Sequence, residues 1–255
     1  NICHPYQVND SISGVVIAAK IAKELKDKVL QNGIRFLFVP ESIGTVAWLA
    51  NNEDKIQNIK FALSFDCLGA GGELKLQQSL YGNSYIDFIA KDIANKRNYQ
   101  IALFREYMSN DESILSASGV EIPTIAFTRA PYKEYHTSED TPDIISTNKL
   151  DESYETIYSV VRSLAFDSIP RQKIKGFLFL KKHNLWTHGV SNTRFYVKEI
   201  FQILNGKLSI YEISYILGLD FMEVYSLIQQ CVEKNLIELR EINNEQNELP
   251  KLPKI

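Results

Sequence analysis

Short apolar runs alternate with amphipathic helical segments through the first two thirds of the chain, and this alternation constrains the fold most. Apolar residues recur at helical spacing over 15–29, and Gly33 follows as a natural helix stop. A run of strand-forming residues at 34–39 comes next and ends at Pro40. Strands that alternate with helices predict an α/β domain in which helices cover a largely parallel sheet.

The same order of elements returns further along the chain. We predict strands over 61–65, 100–104 and 123–128, and helices over 46–49, 86–94 and 152–164. The α/β domain should therefore occupy residues 1–168, because the pattern changes near Ile169 and Pro170.

Residues 169–255 are predicted to form a small second domain of winged-helix type. Apolar positions at helical spacing mark three successive helices, and capping boxes open the last two, Ser209 with Glu212 and Asp220 with Glu223. Gly218 fits the turn between them, and residues 236–242 fit a wing strand. A polar tail begins at Asn243.

Composition excludes several functional classes. The 255 residues carry 28 basic and 31 acidic side chains, so a formal charge of -3 attracts neither nucleic acid nor an anionic membrane. No apolar run approaches the ~20 residues that a membrane span needs. The three cysteines, Cys3, Cys67 and Cys231, include no CxxC pair, which disfavours disulfides and a cysteine zinc site. We therefore expect a cytoplasmic protein.

The chain opens at Asn1 directly on a segment with candidate metal ligands, and no predicted element precedes it. We therefore expect that an N-terminal part of the domain is missing from this sequence.

Acidic and histidine side chains follow the predicted strands at the edge where α/β sheets carry their ligand sites. Glu41, Asp66 and His136 each lie after a strand, and His4 and Asp10 lie just ahead of the first helix. Each residue alone has an ordinary structural interpretation. If they converge, they form a mixed nitrogen and oxygen site suited to zinc or a similar divalent ion.

The order of these residues resembles that of a known family. The segments that carry the resemblance are Cys3-His4-Pro5, Asn9-Asp10, Ser13-Gly14, Pro40-Glu41, Phe65-Asp66 and Tyr135-His136-Thr137 through Asp140-Thr141. They are similar to motifs of the bacterial aminopeptidase-like proteins, relatives of the co-catalytic zinc aminopeptidases and glutamate carboxypeptidases. The resemblance covers about residues 1–165. It implies a three-layer, phosphorylase/hydrolase-like mixed sheet flanked by helices, followed by a C-terminal winged helix.

The resemblance also implies roles for individual residues. His4, Asp10 and Asp66 would hold one zinc ion, Asp10 would bridge to a second ion bound by His136, and Glu41 would be the general base. Where the family has a second glutamate as a metal ligand, this chain has Ser42. One ion, two ions, or Glu41 itself as a ligand therefore all remain open, as does the use of another divalent metal.

These assignments predict a hydrolase that cleaves an amide or peptide-like bond of a small substrate. Asp111 and Glu112 could bind a substrate amine or orient a ligand histidine, and they could equally be solvated. Arg129 could clamp an anionic group, although an ordinary surface arginine is favoured. Tyr132 and Tyr135 are expected to be pocket walls. The sequence also predicts that Cys67 is a small core residue and that His183 and His188, on either side of Trp186, are packed or solvated and do not bind metal.

The second domain is expected to make intramolecular or protein contacts. The helix that would contact DNA in a winged-helix domain, 220–234, carries Asp220, Glu223 and Glu233 and only one cation, Lys234, so it would repel phosphate.

Two alternatives to the hydrolase function remain. They are a degenerate peptidase fold that binds a metal or ligand without turnover, and a regulator that acts through the winged helix. The family resemblance also associates such chains with surface polysaccharide biosynthesis.

Overall fold

The computed structural model describes residues 1–4, 6–107, 109–183, 185 and 196–242. Within them the chain forms two compact units, one from 1–29 and 34–162 and the other from 30–33 and 163–242. Pro5, Trp186, His188 and the tail from Asn243 lie outside the described residues. Among the described helices, none has both the length and the apolar character that a bilayer span requires.

The first unit contains a four-stranded sheet, six α-helices and two short helical segments, Val8–Ile12 and Pro142–Ile144, among its described residues. Its elements, in chain order, are α1 (Ser13–Leu25), α2 (Ile43–Ala50), α3 (Glu53–Ile56), β1 (Ala62–Asp66), β2 (Lys75–Gln77), α4 (Tyr85–Lys96), β3 (Gln100–Ala102), α5 (Asp111–Leu115), β4 (Thr124–Thr128) and α6 (Thr147–Phe166).

The sheet has the strand order β1-β4-β2-β3 and is mixed. The pairs β1–β4 and β2–β3 are parallel, and β2–β4 is antiparallel. The register places Asp66, at the end of β1, opposite Thr128, at the end of β4. The loops that leave these two strands therefore start side by side, and this is the edge where the candidate ligands gather.

The core of the first unit explains why these elements form. Leu76, Ile125 and Phe127 from the sheet have no solvent exposure, and neither do Ile21 of α1 and Ile89 of α4. Burial of each such side chain contributes about 1.5–3 kcal/mol. The predicted first helix forms, but it ends at Leu25, and Val29, which the prediction included, is 86% exposed.

One predicted strand is absent, and the strand β2 was not predicted. Residues 34–39 belong to no strand among the described residues, although the N–H of Ile2 donates to Val39 O at 3.1 Å. An apolar run does not by itself supply the neighbour that a strand needs. The strand β2 was missed because it is three residues long and includes Lys75 and Gln77, so it offers no apolar pattern.

The second unit contains three α-helices, the short 3-10 helix Leu180–His183 and a two-stranded sheet among its described residues. Its elements are β5 (Ile169–Gln172), α7 (Val197–Ile203), α8 (Ile210–Leu217), α9 (Phe221–Glu233) and β6 (Ile237–Arg240), together with the last turn of α6. β5 and β6 pair in antiparallel fashion, so a strand does form inside the predicted 236–242.

Hydrogen bonds at the helix ends stabilise α8 and α9, the two helices whose N-terminal caps the sequence predicted. Ser209 and Glu212 form a reciprocal capping box at the start of α8. Gly218 ends α8 with a left-handed φ of 66°, which glycine adopts at little cost. The Asp220 side chain then accepts hydrogen bonds from the N–H groups of Met222 and Glu223 at the start of α9.

Candidate metal centre

The loop before α1 is fastened to the loop after β1 by two polar side chains. Asn9 Oδ1 accepts hydrogen bonds from the N–H groups of Gly69, at 2.7 Å, and Ala70, at 2.9 Å. The Ser13 hydroxyl donates to Asn9 O at 2.6 Å and accepts from the N–H of Leu68 at 3.0 Å. These bonds fix the backbone on both sides of Asp10 relative to Asp66.

Gly14 lets α1 approach β1 closely enough for this arrangement. A methyl group at Gly14 would lie 2.9 Å from the carbonyl oxygen of Phe65, which is too close for an ordinary carbon contact. The residue after Phe65 is Asp66, so the glycine also brings the start of α1 close to a candidate ligand.

Asp140 attaches the loop after β4 to the same place. Its carboxylate accepts the N–H of Asn9 at 2.8 Å, the N–H of Asp10 at 3.1 Å and the hydroxyl of Tyr132 at 2.7 Å. Asp140 is buried, so these bonds form in a medium of low polarity, where they are strong. The loop that carries His136 is thereby held against the loop that carries Asp10.

Two histidines and one aspartate converge as the sequence predicted. The Nε2 atom of His136 lies 3.1 Å from Asp10 Oδ2, and the Nε2 atom of His4 lies 3.7 Å from the same oxygen. The two imidazole ring centroids are 4.9 Å apart. All three residues can direct one ligand atom to a common point, since these atoms lie within 4.8 Å of one another.

A second group of donor atoms shares Asp10 with the first. Asp10, Asp66 and Cys67 are all buried, and one ligand atom from each lies within 4.8 Å of the others. Asp66 accepts hydrogen bonds from Asn1 Nδ2 and from the N–H of Cys67, both at 2.8 Å. The structure thus places His4 with His136 and Asp66 with Cys67, whereas the family resemblance pairs His4 with Asp66.

The electrostatics of the cluster suit a cation. Burial raises the pKa of Asp10, and it raises the pKa of Asp66 to about 7. Asp10 Oδ2 is buried without a hydrogen-bond partner among the described residues, although His136 Nε2 is only 3.1 Å away. The imidazole nitrogens and carboxylate oxygens gathered here form a donor set that fits zinc.

Glu41 lies just before α2 and is held through its backbone. Its N–H donates to the Cys3 sulfur, and the N–H of Ser42 donates to Asp111 Oδ1 at 2.9 Å. Partial burial raises the pKa of Glu41, and the nearby carboxylates of Asp111 and Asp10 raise it further. A carboxyl group with a raised pKa is a suitable proton acceptor near neutral pH.

Asp111 and Glu112 occupy the first turn of α5 and differ in environment. Asp111 supports the backbone of Ser42, as described above. Glu112 has no solvent exposure, and its Oε1 accepts the N–H of Asn110 at 2.8 Å. The other oxygen has no hydrogen-bond partner among the described residues. Glu112 is therefore not the solvated loop carboxylate that the sequence also allowed.

Arg129 is a structural residue, and the predicted surface arginine was wrong. Its side chain is 1% exposed. The guanidinium donates to Leu68 O, the Ser153 hydroxyl, Gly72 O and Glu152, the last at 2.5 Å. These bonds hold the loop after β1 and leave no basis for assigning Arg129 to an anionic substrate group.

Tyr135 borders the exposed side of the histidine cluster. Its ring stacks on His136 with centroids 3.8 Å apart, and it meets Tyr132 edge to face at 5.6 Å. Tyr135 is 45% exposed, while Asp10 is only 3% exposed. Burial raises the pKa of Tyr135 to about 12, so its hydroxyl is neutral.

The structure assigns His183 to the second unit, whereas the candidate ligands belong to the first.

The sequence alone gives little indication of what Asp140 and Cys67 do in this region. Asp140 appears only as part of a motif, and its position four residues after His136 is the one signal for its three acceptor contacts. Cys67 is buried, as predicted for a small core residue, but a lone cysteine carries no spacing signal for its position beside Asp10 and Asp66.

Known proteins resemble this chain over most of its length. A Clostridium acetobutylicum protein, described as a candidate polysaccharide biosynthesis protein with an aminopeptidase-like domain, is 32% identical over 248 residues. That match covers 93% of this chain and 57% of the relative. A solved structure of a candidate peptidase from the same organism has a TM-score of 0.77 and 28% identity, and covers 93% of this chain and 55% of that one. The chain thus spans about half the length of these relatives.

More distant solved structures share the fold. A zinc aminopeptidase from Bacillus subtilis has a TM-score of 0.55 and 20% identity, and covers 64% of this chain and 44% of its own. An aminopeptidase from Aneurinibacillus sp. strain AM-1 has a TM-score of 0.52 and 24% identity, with coverages of 62% and 40%. The first unit therefore has an aminopeptidase-type α/β fold. Residues 1–167 match the family described as "Domain of unknown function (DUF4910)", and the chain belongs to that family.

Proposed function

We propose that the chain carries the site of a zinc-dependent hydrolase of aminopeptidase type. The observation that carries this proposal is the convergence of His4, His136 and the unpartnered Oδ2 of Asp10 on one point. Without a cation, the fold would bury carboxylates beside one another at a cost of several kcal/mol. The zinc aminopeptidases that share the fold make zinc the first ion to test.

His4, Asp10, Asp66 and His136 would hold one or two ions. When bound, zinc supplies Lewis-acid chemistry that lowers the pKa of a bound water from about 15.7 to about 7. The protein supplies the ligands and their orientation, because Asn9 and Asp140 fix the loops that carry Asp10 and His136.

Glu41 acts as the general base in this proposal. It accepts a proton from the attacking water and delivers that proton to the leaving amine, so that the scissile C–N bond breaks without net proton change at the enzyme. Its raised pKa suits both steps. Cys3 and Asp111 keep the segment 41–42 in place through backbone hydrogen bonds.

The substrate proposed is a small peptide-like or amide compound. Tyr135 forms one wall of the approach to His136, and Asp111 is the candidate partner for a substrate amine, because Glu112 has no solvent exposure. The name of the Clostridium acetobutylicum relative suggests a link to polysaccharide biosynthesis, so amide-bearing sugars and aminoacyl compounds belong in the first substrate panel.

The test compares wild type with Glu41→Gln, using Glu53→Gln on the exposed surface of α3 as the matched control. We expect Glu41→Gln to retain its metal, measured by elemental analysis, and to lose at least about 100-fold in hydrolysis of aminoacyl amides. The Glu53→Gln variant should match wild type in both measurements.

Other results would redirect the proposal. Metal-loaded wild-type protein that hydrolyses nothing across the panel would instead favour a binding protein, the role suggested by Ser42. Loss of metal in Glu41→Gln would identify Glu41 as a ligand.

For the second unit we infer a winged-helix-type module that makes intramolecular or protein contacts. Support comes from the α8–turn–α9 segment with its left-handed Gly218, followed by β6 in a two-stranded antiparallel pair. The three cysteines are free, which suits the cytoplasmic setting that we propose for the whole chain.

A further inference from the structure

We propose that Cys67 is a metal ligand that forms, with Asp10 and Asp66, a three-donor site for a second divalent ion. The inference rests on the proposed hydrolase function and deepens it. It replaces the interpretation of Cys67 as a small core residue and assigns a sulfur donor to a centre otherwise made of nitrogen and oxygen.

The positions of the donor atoms carry the inference. The Cys67 sulfur and one carboxylate oxygen from each of Asp10 and Asp66 lie within 4.8 Å of one another, and all three residues are buried. Asp10 is 97% buried, and its Oδ2 faces His136 and His4, so a carboxylate that bridges two ions would turn its other oxygen to Asp66 and Cys67. The oxygens of Asp66 each accept one hydrogen bond, so each keeps a lone pair for an ion.

The number of donors is also what a catalytic zinc site requires. Such sites use three protein ligands and leave a fourth position for water or substrate. His4, Asp10 and His136 supply one set of three, and Asp10, Asp66 and Cys67 supply another. Asp10 is common to both sets, and a carboxylate can bridge two ions.

Cys67 gives the set of Asp10 and Asp66 its third donor. Position 42 has a short hydroxyl side chain that is exposed, whereas Cys67 is 4% exposed and adjoins the two carboxylates. Zinc accepts thiolate, imidazole and carboxylate ligands alike, so a sulfur donor is compatible with the rest of the centre. On binding, the thiol proton passes to solvent and the sulfur binds as thiolate.

X-ray absorption of the zinc-loaded protein tests the inference without altering Cys67. We expect a zinc–sulfur shell at about 2.3 Å besides the nitrogen and oxygen shell at about 2.0–2.2 Å. The same spectrum from Cys3→Ser excludes Cys3, the other cysteine of the first unit, as the sulfur source. A spectrum with only nitrogen and oxygen neighbours would overturn the assignment of Cys67.

Cobalt substitution gives an independent readout. Cobalt(II) bound to thiolate absorbs in the near ultraviolet by charge transfer, so wild type and Cys3→Ser should show this band and Cys67→Ser should lack it. Persistence of the band in folded Cys67→Ser would contradict the proposal. If Cys67→Ser does not fold, the zinc–sulfur shell in Cys3→Ser still decides.

These outcomes separate the sulfur ligand from the hydrolase proposal. Zinc bound without sulfur, together with amide hydrolysis, removes only the role of Cys67. Failure to bind zinc at all removes both proposals.

Discussion

Glu112 is a residue whose buried charge should govern how the stability of the first unit depends on pH. Burial, the largest cause, raises its pKa above the usual 4.5, and the carboxylates of Asp111 and Glu41 raise it further. Below about pH 4.5, Glu112 is protonated in both the folded and the unfolded protein. As the pH rises through the folded-state pKa, the folded protein must either keep the proton or bury a charge, so stability is lost.

We therefore expect Glu112→Gln to flatten this dependence. Between pH 4.5 and 7.5 the free energy of unfolding, measured in urea for the metal-free protein, should fall less in Glu112→Gln than in wild type. Asp10 and Asp66 are present in both proteins, so the difference isolates residue 112. Glu53→Gln, on the exposed surface, should follow wild type. Equal slopes in Glu112→Gln and wild type would show that residue 112 carries no buried charge.

The sequence identifies several residues of the candidate site, but not the contacts that bring them together. His4, Asp10 and His136 were identifiable because imidazoles and carboxylates that follow strands or precede a helix have a restricted chemistry. The convergence that the structure gives them depends on Asn9 and Asp140, whose hydrogen bonds span 60 and 131 positions. Such contacts leave no local pattern. Burial of Arg129 was unpredictable for the same reason, since its partners come from two separate segments.

At the scale of elements, the loop after β4 should control metal affinity through Asp140. Asp140→Asn replaces one acceptor oxygen with an N–H₂ group that cannot accept the N–H of Asn9 or Asp10. We expect zinc affinity to fall about 10–100-fold, as it does when groups that orient metal ligands are removed. Competition with a chromophoric chelator measures this change.

Glu139→Gln is the matched control, because Glu139 adjoins Asp140 in the same loop but is exposed. It should bind zinc as wild type does. A folded Asp140→Asn protein with unchanged zinc affinity would show that the loops keep their positions without this carboxylate.

The sequence predicted helices where apolar residues recur at helical spacing over several turns. Helices α1, α4, α6 and α9 present such a period, and strands β1 and β4 are short buried runs. Residues 34–39 carry the same composition without a neighbour to pair with, and β2 pairs well without the composition. Strand formation depends on the partner as much as on the sequence of the strand, which is why the predicted strand at 34–39 is absent and β2 was not predicted.

At the scale of the whole molecule, the chain separates into a unit that holds the candidate site and a unit that does not. The sequence predicts a boundary near Ile169, where successive helices replace the alternation of strands and helices, and the contacts within the chain divide it between Arg162 and Ser163. The mixed character of the sheet was not predictable from alternation alone. It arises from β2, which runs antiparallel to β4 and was too short to detect.

The charge on the second unit bears on whether the molecule binds nucleic acid. Its helix α9 presents Asp220, Glu223 and Glu233, with Lys234 as the adjoining cation. Proteins that bind DNA gain affinity by neutralising phosphates, and this helix would instead repel them. We expect no salt-sensitive binding of wild type to random duplex DNA in fluorescence anisotropy at low salt.

A variant with reversed charges tests whether the acidic side chains of α9 prevent DNA binding. If acidic charge is what prevents docking, Glu223→Lys combined with Glu233→Lys should gain affinity at low salt and lose it as salt rises, because each neutralised phosphate releases counterions. Wild type should remain unbound under the same conditions. Tight binding by wild type, with affinity that falls steeply as salt increases, would contradict the role in protein contacts and reassign the second unit to nucleic acid.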